Sequence, residues 1–258
     1  MDGQDGSSDH APDRDRASSA RSFADLHSHS SASFDSLADP GKLVERALRL
    51  GLTHLAITDH ERIDGAQRAV RLAHDDLQVI VGEEIRTRDG DLIGLFLEEA
   101  VPPGLSAAET AASIRAQGGI VGLPHPFDSF RSSAGSKTGE AEQRLGELAA
   151  VVDYVETHNA RAYRDANPRA LAFAADHGLP GVASSDAHSV MELGVASTVL
   201  PGPFSTAQEL MALLPEAEPL RGRASYYVRL WTPAAKAVQR LRGNRRISPG
   251  SQHEPGPA

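Results

Sequence analysis

Short apolar runs rich in β-branched residues alternate with segments of helical periodicity along most of this 258-residue chain. Helix-capping chemistry flanks the helical segments. Pro40 begins one helix that Gly51 would end, and Ser106 with Glu109 forms a capping-box pattern before another. Strand followed by helix, repeated about seven times, favours parallel strands joined by right-handed crossovers, which predicts an α/β fold. The predicted strands are residues 22–26, 54–58, 78–82, 92–97, 119–123, 151–156 and 181–184.

Two architectures are compatible with this alternation, a closed β/α barrel and an open doubly wound sheet. Neither GxGxxG nor GxxxxGK[ST] follows the first predicted strand. The open sheet therefore lacks the glycine-rich phosphate loop that supports its nucleotide-binding version. A barrel is the favoured prediction.

Composition restricts the chemistry and the location of the chain. Cysteine is absent, which excludes disulfides, thiol nucleophiles and iron–sulfur clusters, so any metal must be held by His and carboxylate side chains. No apolar run approaches the roughly 18 to 20 residues that span a bilayer, and no apolar segment follows a basic start at the N-terminus. The expected location is the cytoplasm.

Both ends of the chain differ in composition from its centre. Residues 1–21 and 243–258 are predicted to be disordered tails, because they offer almost nothing to bury, and residues 22–220 are predicted to form the barrel. Residues 221–258 contain eight Lys and Arg and one Glu, a local charge of +7 in a chain whose net charge is -9.

Residues 221–242 are predicted to form a basic amphipathic helix, which Pro233 weakens. This helix is expected either to pack its apolar stripe on the acidic barrel or to remain solvated, and to contact an acidic partner. The alternative is a protein that binds nucleic acid or a membrane surface and holds metal only for stability. The stripe consists of Tyr227, Leu230, Ala234, Val238 and Leu241.

Six of the eleven histidines follow predicted strands directly. The C-terminal ends of the strands in a parallel barrel open on one face, so these six imidazoles are expected to converge. Three carboxylates are expected to join them there. The six histidines are His27, His29, His60, His125, His158 and His188, and the carboxylates are Asp35, Glu84 and Asp186.

This set exceeds what one metal ion can use, so two or three divalent ions are predicted, with manganese, iron and zinc as candidates. Spacings of the type His-x-His place two side chains on the same side of a strand end. Glu84, at the end of a middle strand, is the candidate bridging ligand, although Glu83 could exchange roles with it. For His158 an alternative stays open, in which Glu156 or Asn159 takes its role at the end of this strand.

The motifs DLHSHS, ITDH, VGEE, LPHP, ETHN and SDAH, in this order over residues 22–201, resemble the polymerase and histidinol phosphatase (PHP) family. The resemblance implies a distorted seven-stranded (β/α)7 barrel and a metal-dependent phosphoesterase. The chain differs from relatives that carry a large lid insertion, since only 41 positions separate Glu84 from His125. In addition, Asp91 stands where many relatives have His, a departure that does not affect the proposed ligand set. Transferred to this chain, the resemblance assigns His27, His29, Glu84 and Asp186 to a first metal, Glu84, His125 and His158 to a second, and Asp35, His60 and His188 to a third.

Three further residues are candidates for catalytic support. Asp25 and Asp59 could accept the free ring N–H of a neighbouring ligand His, or could equally cap a turn. Arg161 could bind a substrate phosphate, or could be a solvated loop residue.

The predicted function is hydrolysis of a small phosphomonoester by a metal-bridged water. The expected substrate is a nucleotide or the 5′ end of a short nucleic acid. The alternative within enzymes is a histidinol-phosphate phosphatase. No sequence feature predicts the oligomeric state.

Overall fold

The structure is a computed structural model, and it describes residues 21–128, 139–163, 165–225 and 227–249. Strands and helices alternate through most of this part of the chain. The described residues form, in order, β1 (Ser22–Asp25), α1 (Pro40–Leu50), β2 (His54–Ile57), α2 (Asp64–Val70), β3 (Gln78–Arg86), β4 (Asp91–Leu95), α3 (Ala107–Ala116), β5 (Ile120–Leu123), α4 (Gly139–Ala149), β6 (Tyr154–Asn159), α5 (Ala166–Asp176), β7 (Gly181–Ser184), β8 (Ser197–Leu200), α6 (Ala207–Leu213), a 3-10 turn (Leu214–Glu216), β9 (Glu218–Leu220) and α7 (Val228–Leu241).

The strands form one sheet in the order β7-β6-β5-β4-β3-β2-β1-β8-β9. The pairs within β1-β2-β3 and within β5-β6-β7 are parallel. β4 is antiparallel to β3 and β5, and β8 is antiparallel to β1 and β9. The α/β class is confirmed, whereas the prediction of seven strands is wrong, because the described residues form nine.

The antiparallel pairing of β3 and β4 has a local cause. Thr87 N donates to Gly90 O across a tight turn, at 3.1 Å, and the Thr87 hydroxyl also donates to Gly90 O, at 2.6 Å. A link of this length permits a hairpin, whereas a parallel pair needs a crossover of about a dozen residues. The regular strand–helix alternation predicted from the sequence is therefore interrupted here.

The sheet curves until β7 approaches β8, and a side chain connects the two strands. The Thr198 hydroxyl on β8 donates to Ala183 O, at 2.8 Å, and accepts a hydrogen bond from Ala183 N, at 2.9 Å. Both backbone groups of Ala183 are thereby satisfied at a position where no strand ladder connects β7 to β8. The result is a nearly closed barrel.

The predicted helix boundaries at α1 and α3 have the expected chemistry. Asp39 caps α1 by accepting hydrogen bonds from Gly41 N and Lys42 N, and Gly51 ends it with a φ of 73°. Ser106 and Glu109 form the capping box at α3. The apolar faces of these helices pack on the sheet and leave the strand ends open for polar residues.

The C-terminal segment packs on the barrel differently from the prediction. Two residues of the predicted apolar stripe do not pack on the barrel, since Tyr227 is 81% exposed and Leu241 is 90% exposed. Among the side chains of α7 that the structure describes, those of Ala235 and Gln239 are buried. Residues 243–249, part of the predicted C-terminal tail, are among the described residues, and Asn244 donates a hydrogen bond to Ala32 O of the barrel.

The other residues predicted to be disordered, 1–20 and 250–258, lie outside the described residues. Among the helices that the structure describes, none is both long and apolar enough to cross a membrane.

Candidate metal centre

Backbone hydrogen bonds between the ends of β1 and β7 bring the first and last motifs together. Asp186 N donates to His27 O, at 2.9 Å, and His29 N donates to Ala187 O, at 2.8 Å. Both loops leave their strands at the same end of the barrel. The side chains of these two motifs therefore face the same space.

One group of converging side chains lies around His27. Its Nε2 atom is 3.0 Å from His29 Nε2, 3.3 Å from Glu84 Oε2 and 3.7 Å from Asp186 Oδ1. On the other side of the same carboxylate, Glu84 Oε1 lies 3.3 Å from His125 Nε2. The two oxygens of Glu84 thus face different histidines, which is the arrangement required of a bridging ligand.

A second group lies around Asp35. Its Oδ2 atom is 3.4 Å from His60 Nε2 and 3.3 Å from His188 Nε2. The other ring nitrogens of these histidines lie 3.4 Å from Glu84 Oε2 and from Asp186 Oδ1, respectively. Eight of the nine predicted ligands therefore come together in one buried cluster.

The spacing of these atoms fits a bound cation better than a hydrogen-bond network. The His27 Nδ1–H donates to Glu156 Oε1, at 3.1 Å, so that the lone pair of His27 Nε2 faces His29. Within the described part of the chain, His29 Nδ1 and His60 Nδ1 are buried without hydrogen-bond partners. Ligands 2.0 to 2.2 Å from a tetrahedral ion lie about 3.4 Å from one another, close to the distances observed. Three groups of ligand atoms have this mutual proximity: His29, Asp35, His60 and His188; His27, His29 and Glu84; and His27, His125 and Asp186.

The charges of the cluster are also suited to a cation. Burial disfavours ionisation of Glu84, yet the neighbouring His60 holds the Glu84 pKa well below its ordinary value. Burial likewise opposes ionisation of Asp35, and the pKa of Asp35 is still held low by His60 and His188. The pKa of His60 rises to about 9 against the effect of burial, because Glu84 and Asp35 stabilise its charge. Ionised carboxylates thus require positive charge, which a metal ion can supply in place of protons.

His188 differs from the other ring ligands. Burial, followed by the positive charge of Arg161, lowers the His188 pKa to about 3. Its imidazole is therefore neutral at physiological pH, the form in which His binds a metal.

His158, the ninth predicted ligand, lies outside the cluster. Its Nε2–H donates to Gly222 O, at 2.8 Å, and its Nδ1 accepts a hydrogen bond from Asn167, at 3.2 Å. The cause is a β-bulge in β6 that shifts the register between Glu156 and His158. The bulge turns Glu156 and Asn159 toward the cluster and His158 away from it.

Glu156 and Asn159 are thus the residues of β6 that reach the site. Glu156 orients His27, and Asn159 Nδ2 donates to both Glu156 Oε2 and Asp186 Oδ2, at 2.9 Å each. The choice between Glu83 and Glu84 is settled by strand alternation, since Glu83 points away and accepts a hydrogen bond from Val101 N. Burial raises the pKa of Glu83 to about 8.

The three residues predicted to support catalysis hold loops instead. Asp25 accepts hydrogen bonds from Ser185 N and Gly194 N, and Asp59 accepts two from Ser30. Neither forms the predicted hydrogen bond with a ligand ring; the turn alternative applies to both.

Arg161 is buried and not solvated. It donates to Glu192 Oε1, at 2.9 Å, and to Thr232 on α7, at 2.7 Å. Glu192 in turn accepts a hydrogen bond from His188 N. This arrangement supports the His188 loop, and it gives Arg161 protein partners where a phosphate had been predicted.

The C-terminal segment brings basic groups to the centre that the sequence did not identify as part of the site. Lys236 Nζ lies 3.9 Å from Asp35 Oδ2. Arg246 pairs with Glu61, at 2.8 Å, and lies 3.7 Å from Asp91. Burial raises the pKa of Asp91, and the nearby charge of Glu84 adds to this shift.

Comparison with known proteins identifies the family. Residues 25–160, more than half of the chain, match the family model of the PHP domain. The chain belongs to the PHP domain family. Residues 164–219 also match the PHP-associated model. PHP-domain proteins are metal-dependent phosphoesterases, and the hydrolase class predicted from the sequence is confirmed.

The chain is also similar to individual proteins. An uncharacterized protein of Methanocaldococcus jannaschii is 35% identical over 173 residues, which cover 67% of this chain and 68% of the relative. A 5'-3' exoribonuclease of Haemophilus influenzae is 28% identical over 130 residues, or 45% of this chain and 47% of the relative.

A solved structure shares the fold. It is a two-domain protein from Bacteroides vulgatus that contains a predicted PHP-like metal-dependent phosphoesterase, with a TM-score of 0.65 and 20% identity. The similarity covers 79% of this chain and 65% of that protein. This chain therefore spans slightly less than two thirds of the length of that protein.

Proposed function

We propose that this PHP-domain protein hydrolyses phosphomonoesters, with a nucleotide or the 5′ end of a short oligonucleotide as its substrate. One observation carries the proposal: eight predicted ligand side chains, from five of the six motifs and from the Asp35 loop, meet in one buried cluster with spacings that fit divalent metal ions. Manganese, iron and zinc all accept such His and carboxylate ligands.

Bound divalent ions would acidify a water molecule and neutralise the oxygens of a phosphate, so that no amino-acid nucleophile is required. His27, His29, Glu84, His125 and Asp186 would hold one part of the metal centre. Asp35, His60 and His188 would hold the other. The chain keeps these groups in place through the Glu156 contact with His27 and through the Arg161 contact with Glu192.

Two observations support a nucleotide or nucleic-acid end as substrate. The basic groups of the C-terminal segment lie beside the acidic cluster, where they would attract an anionic substrate. The similarity to a 5'-3' exoribonuclease covers nearly half of this chain.

The proposal is tested by measuring metal content and phosphate release together. Purified protein is expected to contain two or three equivalents of manganese, iron or zinc and to release phosphate from at least one compound in a panel. The panel contains nucleoside monophosphates, 5′-phosphorylated oligonucleotides, nucleoside bisphosphates and histidinol phosphate. Turnover of histidinol phosphate alone would replace the proposed substrate class.

Substitution separates the centre from its surroundings. His27→Ala and Asp186→Asn are expected to lose at least one metal equivalent and to lower kcat by more than about a thousandfold, an effect typical of removing essential charge stabilisation. His158→Ala is the matched control, because its ring faces Gly222 and not the cluster. Full activity in both site variants would exclude this centre as the catalytic one.

A further inference from the structure

A pocket of about 410 Å³ lies beside the metal centre and is formed largely by the C-terminal segment. The C-terminal part of its lining lies beyond residues 25–160 and 164–219, which match the PHP family models. We name it the arginine pocket. Its lining residues are Phe34, Arg240, Asn244, Arg245 and Arg246.

Two of the three arginines in the pocket have no charged partner within the described part of the chain. Arg240 and Arg245 are exposed, and within the described part of the chain neither forms an ion pair or a side-chain hydrogen bond. Arg246 is instead fixed by its pair with Glu61. The pocket thus combines one fixed arginine, Arg246, with two guanidinium groups that are available to a ligand. Such a pocket is suited to binding a phosphate, because each guanidinium can donate two parallel hydrogen bonds to the phosphate oxygens.

The arginine pocket adjoins the metal centre through Phe34. The ring of Phe34 precedes the ligand Asp35 in the sequence and lies 5.1 Å from the ring of His60, centroid to centroid. Arg246 lies over the same phenyl ring, 5.5 Å from its centroid. One molecule could therefore reach both the metal centre and the arginine pocket.

The segment that forms the pocket is anchored to the barrel beside the ligands. Gln239 donates to the carbonyls of Ser31 and Ser36, and Asn244 donates to Ala32 O, at 2.9 Å. Asn244 also accepts a hydrogen bond from Arg62. These contacts hold the segment that carries the arginines next to the Asp35 loop.

We propose that the arginine pocket binds a second phosphate group of the substrate while the first is hydrolysed at the metal centre. This inference rests on the proposed function and narrows its substrate class. Molecules with two phosphates, such as a 5′-phosphorylated oligonucleotide or a nucleoside bisphosphate, are preferred over simple monophosphates. The preference comes from residues of this chain that lie outside the family models.

The first experiment measures binding without turnover. The probes are a 5′-phosphonate analogue of a thymidine dinucleotide, which retains the internal phosphate, and the 5′-phosphonate analogue of thymidine, which does not. Their terminal carbon–phosphorus bond resists hydrolysis. The full chain is expected to bind the dinucleotide analogue about tenfold more tightly in calorimetry, a difference in the range of one charged hydrogen-bonding contact.

The charge-reversed variant Arg240→Glu/Arg245→Glu is expected to lose this difference and to keep the affinity for the mononucleotide analogue. Arg221→Glu/Arg242→Glu is the matched control, since both residues are exposed, lie outside the pocket lining and change the net charge equally. Equal weakening of both probes, or no selectivity in the unmodified protein, would overturn the proposal.

The second experiment measures kcat/KM for the 5′-phosphorylated thymidine dinucleotide and for thymidine monophosphate. The pocket variant is expected to lower the value about tenfold or more for the dinucleotide and less than about twofold for the monophosphate. An equal change for both substrates would contradict the pocket. If the unmodified protein hydrolyses neither substrate, the proposed function fails, and the binding experiment still decides the pocket by itself.

Discussion

Glu156 shows how one carboxylate can prepare a metal ligand without being a ligand. Its Oε1 atom accepts the His27 Nδ1–H, and Asn159 holds the other oxygen. His27 is thereby fixed in the tautomer that presents Nε2 to the cluster. The ring of His158, two residues further along β6, has no such effect because the bulge turns it away.

Glu156→Gln is predicted to weaken metal affinity about 10- to 100-fold while the chain stays folded, the range observed for residues that orient metal ligands. Glutamine keeps the size of the side chain but can present an amide N–H to His27, which favours the wrong tautomer. Metal titration in a competing chelator measures the change. Unchanged affinity, with His158→Ala as the reference variant, would show that Glu156 does not orient His27.

His54, which is not part of the metal cluster, contributes to the loss of folding stability at low pH. Burial lowers the pKa of His54 from 6.5, although the hydrogen bond from His54 Nε2 to Phe204 O partly opposes the shift. The folded ring therefore stays neutral at a pH where the unfolded ring takes up a proton. The free energy of unfolding must fall as the pH drops below about 6.5, by up to about 1.4 kcal/mol per pH unit from this residue.

His54→Gln is predicted to remove this contribution. Urea unfolding at pH 7, 6 and 5 should show a shallower loss of stability in the variant than in the unmodified protein. His74→Gln, at an exposed position, is the matched control. Parallel pH curves for His54→Gln and the unmodified protein would contradict the prediction.

At the scale of elements, sequence reasoning succeeded where local signals determine the structure. Apolar runs located seven strands, and the ends of those strands located eight of the clustered ligands. It failed where register or long-range contacts decide. The bulge in β6 leaves no local signal, since both Glu156 and His158 fit the alternation of a regular strand.

The two strands missed by sequence reasoning show the same limit. β8 follows β7 without an intervening helix, so the strand–helix alternation does not mark it, and β9 has three residues and contains Pro219. Within sheets, proline is confined to positions such as edge strands. The sequence of β9 alone is therefore typical of a turn, and only its pairing with β8 identifies it as a strand. The polar contacts of α7 with the barrel were also not predicted, because no local pattern indicates that Gln239 meets the carbonyls of the Asp35 loop.

Gln239 is the main polar contact of α7. Its amide Nε2 lies within hydrogen-bonding distance of three carbonyls of the Asp35 loop, those of Ser31, Ser33 and Ser36. Gln239→Ala is predicted to lower the free energy of unfolding by about 2 kcal/mol, because buried acceptors lose their donor. Denaturant unfolding measures the change, with the exposed Gln208→Ala as control. A change below about 0.5 kcal/mol would mean that α7 is attached by other contacts.

At the scale of the whole molecule, one hydroxyl connects the two sides of the sheet. Thr198 satisfies both the N–H and the carbonyl of Ala183. Asp186 follows Ala183 by three residues, so the connection of β7 to β8 also fixes the start of the last ligand loop. The same contact therefore closes the barrel and positions the SDAH motif.

Thr198→Val is predicted to destabilise the protein by about 3 kcal/mol, because two buried backbone groups lose their partner at a cost of about 1 to 3 kcal/mol each. Thr198→Ser keeps the hydroxyl and should cost less than half as much. Thermal and urea unfolding of both variants measure the difference. Serine loses only the methyl group and valine loses only the hydroxyl, so equal destabilisation by the two variants would contradict a dominant role for the hydrogen bonds.

The attachment of α7 to the loop that contains Asp35 connects parts of the chain about two hundred positions apart, as in the contact of Gln239 with Ser36. During synthesis the ligands from His27 to His188 all emerge before residues 236–246 do. A nascent chain can therefore assemble the metal cluster before the segment that borders it exists. The arginines that would select a substrate are therefore synthesised after all of the metal ligands.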